Sequence, residues 1–257
     1  MPDTACVLCV SGHDPGGGAG VHADIEAVAA QGAHALSVIS VLTVQDTQNV
    51  VRSVAVDADL MAQQLDALQR DCRIRAVKIG LLGSLQQVSL LRQTIAGGSL
   101  PVVLDPVLAA GGGTRLVDEQ LRGAIREQLI PHVSLLTPNQ NELGWLVPEA
   151  DKLATAATQL LSEGCGGVLV TGGDADHPRI TNTWHRPQAR PLAWHWTRAD
   201  ETFHGAGCTL ASAIAAQLAI GSDMRTAIGD AQQWTQQTLR HARAIGEGRR
   251  IPGRVGR

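Results

Sequence analysis

Short apolar runs recur along the chain at residues 6–11, 36–42, 76–79, 102–104, 134–136 and 167–170, and longer amphipathic segments fill the gaps at 21–31, 59–70, 84–94, 118–128 and 151–162. The short runs are apolar throughout instead of alternating, the pattern of parallel strands covered on both faces. Strand and helix patterns in strict alternation predict an α/β fold with a doubly wound, mainly parallel sheet. Residues 180–184 and 191–196 read as a hairpin interrupting that alternation, and helices are expected over 208–219 and 223–244. At 257 residues the chain is near the upper limit for one hydrophobic core. The reading is therefore a single domain over 1–257, with a small hairpin insertion at about 178–197 and a flexible tail at about 247–257.

Composition excludes several partners. The chain is 44% hydrophobic and 18% charged, with a net charge of -3 and Lys and Arg spread along its length. Aromatic residues are scarce, with Phe203, five Trp and no Tyr, so there is little on which to stack single-stranded bases. Nucleic acid is not an expected partner. The basic cluster Arg249, Arg250, Arg254 and Arg257 reads as part of a solvated, frayed tail. No Lys or Arg marks residues 1–4 as a signal sequence, and no apolar stretch is long enough to span a bilayer. Cys6 and Cys9 have a redox or zinc half-motif spacing, but on a strand they face opposite sides. Buried thiols in a reducing cytoplasm is the expectation. The histidines, His185, His195 and His204 among them, show no metal-ligand spacing.

In doubly wound folds ligands bind beyond the carboxyl ends of the strands. There the chain places Gly12-His13-Asp14-Pro15, Thr43-Val44-Gln45, Asp105-Pro106, Thr137-Pro138-Asn139 and Thr171-Gly172-Gly173. Ser11 to Gly20 is glycine-rich, and Gly18-x-Gly20-x-x-Ala23 also fits a loosened dinucleotide fingerprint. This segment alone leaves open a phosphate loop, a NAD site or a plain turn. The second glycine-rich stretch, Gly205-Ala206-Gly207-Cys208, runs into the small-residue helix 210–216. Free N–H groups at a helix start form an anion hole. A dehydrogenase has no evident use for a second such loop, whereas a kinase has. A thiol at Cys208 is expected to be acidified by the helix terminus and to serve as a base; a packing role is the competing reading. Asp105 and Glu142 have the carboxylates that Mg²⁺ takes beside phosphate oxygens, although Glu142 is equally an ordinary first-turn acid after Pro138-Asn139. Thr171 and Gly173 read as phosphate contacts or as a turn.

Taken in order, these pieces resemble the hydroxymethylpyrimidine/phosphomethylpyrimidine kinases of thiamine biosynthesis, a branch of the ribokinase-like superfamily. The resemblance rests on Gly12 to Gly20 with Ala23-Asp24, Thr43-x-Gln45-x-Thr47, Lys78-Ile79-Gly80-Leu81-Leu82, Leu104-Asp105-Pro106-Val107, Thr137-Pro138-Asn139-x-x-Glu142 and His204-Gly205-x-Gly207-Cys208-Thr209. Cys208 is the sharpest of these marks, because most ribokinase-like sugar kinases carry Asp there.

The resemblance implies a three-layer αβα ribokinase-like domain, homodimeric, that uses ATP and Mg²⁺. It implies two phosphorylations, of 4-amino-5-hydroxymethyl-2-methylpyrimidine and then of its monophosphate. By position, Gln45, Asp24, Gly12 and Ala19 would hold the acceptor. Gly205, Ala206, Gly207 and Cys208 would form the catalytic anion hole. Asp105 and Glu142 would organise the metal, and Asn139, Thr171 and Gly173 would approach the nucleotide. The chain departs from the common pattern at His13 (usually Ser), Ala206 (usually Thr), and Gly111 and Thr171 (both often Lys). A pyridoxine-type kinase, a Rossmann NAD-binding dehydrogenase and a non-catalytic pyrimidine sensor are the alternatives.

Overall fold

The computed structural model describes residues 4–173 and 178–255. The apolar runs become the centre of one sheet: β1 (Cys6–His13), β2 (His34–Gln45), β4 (Ile74–Ile79), β5 (Val102–Leu104), β6 (Leu135–Leu136) and β7 (Val168–Val170). Three further strands lie at the edges, β3 (Val50–Ala55), β8 (Arg179–Arg186) and β9 (Ala189–Thr197), giving the order β3-β2-β1-β4-β5-β6-β7-β8-β9. β2, β1, β4, β5, β6 and β7 run parallel, and β3, β8 and β9 pair antiparallel. The hairpin expected to interrupt the pattern thus continues the sheet beyond β7. β3 was not expected; Val50-Val51-Arg52-Ser53-Val54-Ala55 is an exposed edge with no inward face to write a pattern.

Side-chain alternation along each central strand feeds two cores. Leu8 and Val10 of β1, Val77 and Ile79 of β4, and Val102 and Leu104 of β5 pack on one face. That face is covered by α2 (Ala58–Asp71), α3 (Leu85–Ile95), α4 (Glu119–Ala124, continued by a π turn over Ile125–Leu129), α5 (Gln140–Leu146) and α6 (Leu153–Ser162). Val7, Cys9, Ala76, Val103, Leu135 and Leu169 face the other way, against α1 (Gly20–Ala30), α7 (Ala206–Ala219) and α8 (Met224–Arg240). Three layers result, as the parallel pattern predicts. Cys6 packs with the first core and Cys9 sits in the second, so the two thiols do face apart.

Helix starts lie where polar caps stand: Asp57, Ser84, Asp118 and Asp223 each accept from a first-turn N–H. α7 is different. Leu210 to Ala216 are all buried, because this helix is enclosed by the sheet, α1 and α8, and its alanines let them approach closely.

One expectation is overturned. The segment near the C-terminus is folded onto the body instead of fraying: Arg250 N–H donates to the Thr202 carbonyl, Ile251 and Arg243 exchange backbone hydrogen bonds, and Gly253 N–H donates to the Thr238 carbonyl. Ile251 and Arg254 are buried. The apolar Ile251 and the hydrogen-bonding reach of Arg254 outweigh the Gly and Arg content that suggested solvation. Residues 256 and 257 of that tail, Arg257 included, lie outside the described residues.

Candidate active site

The carboxyl ends of the parallel strands open into a cleft of about 320 Å³, within the usual range for small-molecule sites. Gly12, Ala19 and Gln45 line it from the β1 and β2 ends, and Asp105 from the end of β5. Asn139, Glu142, Thr171 and Gly173 line it from the β6 and β7 ends, and Gly205 to Cys208 from the start of α7. The expected acceptor, metal, nucleotide and anion-hole residues therefore meet in one cavity, with Asp24 the exception.

The two glycine-rich stretches are built against each other. Gly205 caps α7 at φ 83°, and a Cβ there would collide with the Gly18 carbonyl. A Cβ at Gly18 would in turn meet His204 and Ile251. Arg254 ties the pair together. Its Nε donates to Thr209 Oγ1 at 2.7 Å, Nη1 to Glu26 at 3.1 Å, and Nη2 to the Gly18 carbonyl. The first-turn N–H groups of α7 have no intrahelical acceptor and border the cleft, as an anion site requires.

Asp24 lies beneath the cleft instead of in it. Its Oδ1 accepts from Lys78 Nζ at 2.8 Å and from Ser212 Oγ at 2.6 Å, and both members of the ion pair are sealed from solvent. α1 turns the carboxylate toward the sheet because Lys78, on the same sheet face as Val7 and Cys9, needs a counter-ion there. A direct acceptor-binding role for Asp24 is corrected accordingly. Burial alone would push the Lys78 ammonium down, but the charges of Asp24, Cys208 and Asp105 outweigh it and hold Lys78 protonated far above the ordinary lysine value. Lys78 itself reaches the cleft wall.

Asp14, passed over in the sequence, organises the first loop. Its Oδ1 accepts from Gly16 N–H at 2.8 Å and its Oδ2 from Ala19 N–H at 2.9 Å. His204 Nε2 lies 2.8 Å from Oδ2 and 3.2 Å from Gln45 Nε2. Burial would raise the Asp14 carboxyl, but donation from His204, Gln45 and Gly16 outweighs it and holds the group ionised, well below the usual carboxylate range. With Asp14 ionised, the ring N–H and the Gln45 amide both donate to it, which fixes the Gln45 side chain at the cleft edge.

At the other end Asn139 and Glu142 form a capping box at the start of α5, with Asn139 Oδ1 accepting from Glu142 N–H at 2.8 Å and Glu142 Oε2 from Asn139 N–H at 2.9 Å. The helix-start reading of these two residues is realised, and both still face the cleft. Asp105 is buried, with its Oδ2 lacking a hydrogen-bond partner among the described residues. Burial pushes this carboxyl up, offset in part by Lys78 and the neighbouring Cys208 thiol. Cys208 reverses the expected acidification: burial first, then the charge of Asp105, push its thiol well above the ordinary cysteine value. An unpartnered buried carboxylate oxygen on the cleft wall, with a second carboxylate lining the same cavity, fits a hard cation that keeps phosphate oxygens and water as its other ligands.

Lys78 and His204 appeared in the motifs but were given no role, and Arg249, which also lines the cleft, was assigned to the tail. A lysine inside the otherwise apolar run Ala76-Val77-Lys78-Ile79 was a readable signal, since a strand covered on both faces holds a charge only against a partner.

Comparison with known proteins now adds to the geometry. The phosphomethylpyrimidine kinase family matches residues 14–252. A hydroxymethylpyrimidine/phosphomethylpyrimidine kinase of Synechococcus elongatus is 34% identical, covering 94% of each chain. The enzyme of the same name from Escherichia coli is 32% identical over 95% of this chain and 94% of its own. Among solved structures, an ADP complex of Bacillus subtilis pyridoxal kinase superposes with a TM-score of 0.89 at 25% identity, covering 97% of both chains. The chain belongs to the phosphomethylpyrimidine kinase family and is a phosphotransferase of ribokinase-like fold.

Proposed function

We propose that this chain transfers the γ-phosphoryl group of ATP to the hydroxymethyl oxygen of 4-amino-5-hydroxymethyl-2-methylpyrimidine, and then phosphorylates the monophosphate to the pyrophosphate for thiamine biosynthesis. The observation that carries the reading is the unpartnered Asp105 oxygen beside the Cys208 thiol, at a helix start whose N–H groups face the same cleft as Gln45.

Gln45, fixed by Asp14, presents its amide to the aminopyrimidine edge, with Gly12 and Ala19 beneath the ring. The α7 N–H groups of Ala206, Gly207 and Cys208 receive the negative charge that grows on the transferring phosphoryl oxygens. The acceptor oxygen forms the new P–O bond, the bond to the ADP oxygen breaks, and the hydroxyl proton passes to Cys208 in its thiolate form, the thiol proton having left to solvent beforehand. Lys78 and the helix start favour that form against burial and the Asp105 charge. Asp105 and Glu142 are the residues that would hold Mg²⁺, which would supply positive charge against that of the transferring phosphate. Asn139, Thr171 and Gly173 lie together at the nucleotide end, where Thr171 N–H donates to the Pro138 carbonyl at 2.9 Å. The chain acts as one kinase domain, as a homodimer and in the cytoplasm.

The likeness to a pyridoxal kinase favours a second acceptor, since pyridoxal is also a heteroaromatic ring bearing a hydroxymethyl group. ADP release is to be measured with the pyrimidine alcohol, its monophosphate and pyridoxal as separate acceptors. Turnover on both pyrimidines in excess of pyridoxal is expected. ADP release with pyridoxal alone would reassign the substrate, and none with any acceptor would refute the kinase reading.

A further inference from the structure

The cleft has an unusual charge balance. Asp14, Asp46, Asp105 and Glu142 all line it, while its Lys and Arg residues are Lys78 and Arg249. Lys78 is committed to Asp24. A ligand bearing phosphates would meet an excess of carboxylates there, and among the described residues Arg249 is the cation left to oppose them.

Arg249 is held in place from behind. Its backbone N–H donates to the Thr47 carbonyl at 3.0 Å, Gly248 N–H to Thr47 Oγ1 at 2.9 Å, and its own Nη2 to the Gln48 carbonyl at 3.0 Å. On the other side it occupies space that only glycine leaves open, since a Cβ at Gly111 would collide with the guanidinium. Nε and Nη1 make no hydrogen bond, and no carboxylate pairs with the group, among the described residues. Burial pushes its value down, the mark of a cation partly withdrawn from water without a counter-ion. Such a group is stabilised by an anion that offers two oxygens to its fork.

We infer that Arg249, brought into the cleft by the chain segment after α8 and admitted by Gly111, is a phosphate-binding residue of this site. Its ligand is a phosphoryl group, carried either by the nucleotide or by the monophosphate acceptor. The inference rests on the kinase reading for the choice of ligands, and its test is direct binding, which does not depend on turnover.

Calorimetric titration of ADP, and separately of the pyrimidine monophosphate, is compared between the wild-type chain, Arg249→Ala, Arg249→Lys and the double variant Arg249→Ala/Gly111→Lys. Loss of a charge-assisted contact should weaken the bound phosphate ligand by about 10- to 100-fold in Arg249→Ala. Arg249→Lys should be weakened less, and Lys at 111 should restore part of the affinity from the other side of the same space. Weakening confined to ADP assigns the nucleotide, weakening confined to the monophosphate assigns the acceptor, and the unphosphorylated alcohol should bind unchanged. If Arg249→Ala disturbs folding, seen as a lowered melting temperature, Arg249→Lys and the double variant decide. Affinity for both phosphate ligands within threefold of wild type in folded variants would overturn the inference. A wild-type chain that binds ADP but releases none with any acceptor would refute the kinase reading and leave the Arg249 result standing.

Discussion

Lys78 Nζ and Asp24 Oδ1 lie 2.8 Å apart with neither side chain exposed, joining β4 to α1 directly under the cleft. Removing one partner strands the other charge in a dry interior, at a cost of about 3–5 kcal/mol. Lys78→Met should therefore lower the urea midpoint sharply, and Lys78→Met/Asp24→Leu should recover much of the loss. Equal stability of the single and double variants would show that the pair is not held as a unit.

Cys208 is expected to act on the rate and not on binding. Cys208→Ala should reduce kcat by about 10²- to 10⁴-fold, the range for loss of a positioned base. The KM for the pyrimidine alcohol should change little, and Cys208→Ser should sit between the two. An unchanged kcat in Cys208→Ala would make the residue a packing element of the α7 start.

Asp14 sets an acid limit on stability. Its folded-state value lies below that of the unfolded chain, so its contribution is complete above the unfolded value of about 4 and is lost as pH falls from there toward the folded value. Urea midpoints followed from pH 6 to pH 3 should fall more steeply for wild type than for Asp14→Asn. Parallel curves would place the acid sensitivity elsewhere.

Arg254 spans two loops, so its loss should be felt twice. Arg254→Met keeps the buried stem but leaves the Gly18 carbonyl, Thr209 Oγ1 and Glu26 without their donor, a loss of about 2–4 kcal/mol. The KM for the acceptor should rise as well, because the glycine loops that it joins line the cleft. A variant with lowered stability and unchanged KM would confine Arg254 to the scaffold.

What could be read in advance follows from where the chain writes its constraints. Val7 to Val10, Ala76, Val77 and Ile79 around the paired Lys78, and Val102 to Leu104 are covered on both faces, so their runs stand out. β3 faces solvent along its length, and nothing obliges its sequence to alternate. The glycines at 18 and 205 were visible, but that they touch each other is a fact of packing between residues far apart in the chain. Asp24 was misplaced because a motif position does not say which way a helix turns its side chain, and only the need of Lys78 decides that. Cys208 was read from its helix position alone, while burial and then the nearby Asp105 charge, brought by β5, work in the opposite direction. Arg254 and Arg249 were read as solvated because charge near a chain end usually is, and no local pattern records the Gly18 carbonyl or the gap at Gly111 that receives them.

The bond from Arg254 to Gly18 crosses 236 positions of sequence. Protein synthesis is vectorial, so β1, the first glycine loop and most of the sheet leave the ribosome before the residue that fastens that loop exists. The nascent chain can build its scaffold early, yet its cleft stays unlatched until the segment after α8 has emerged.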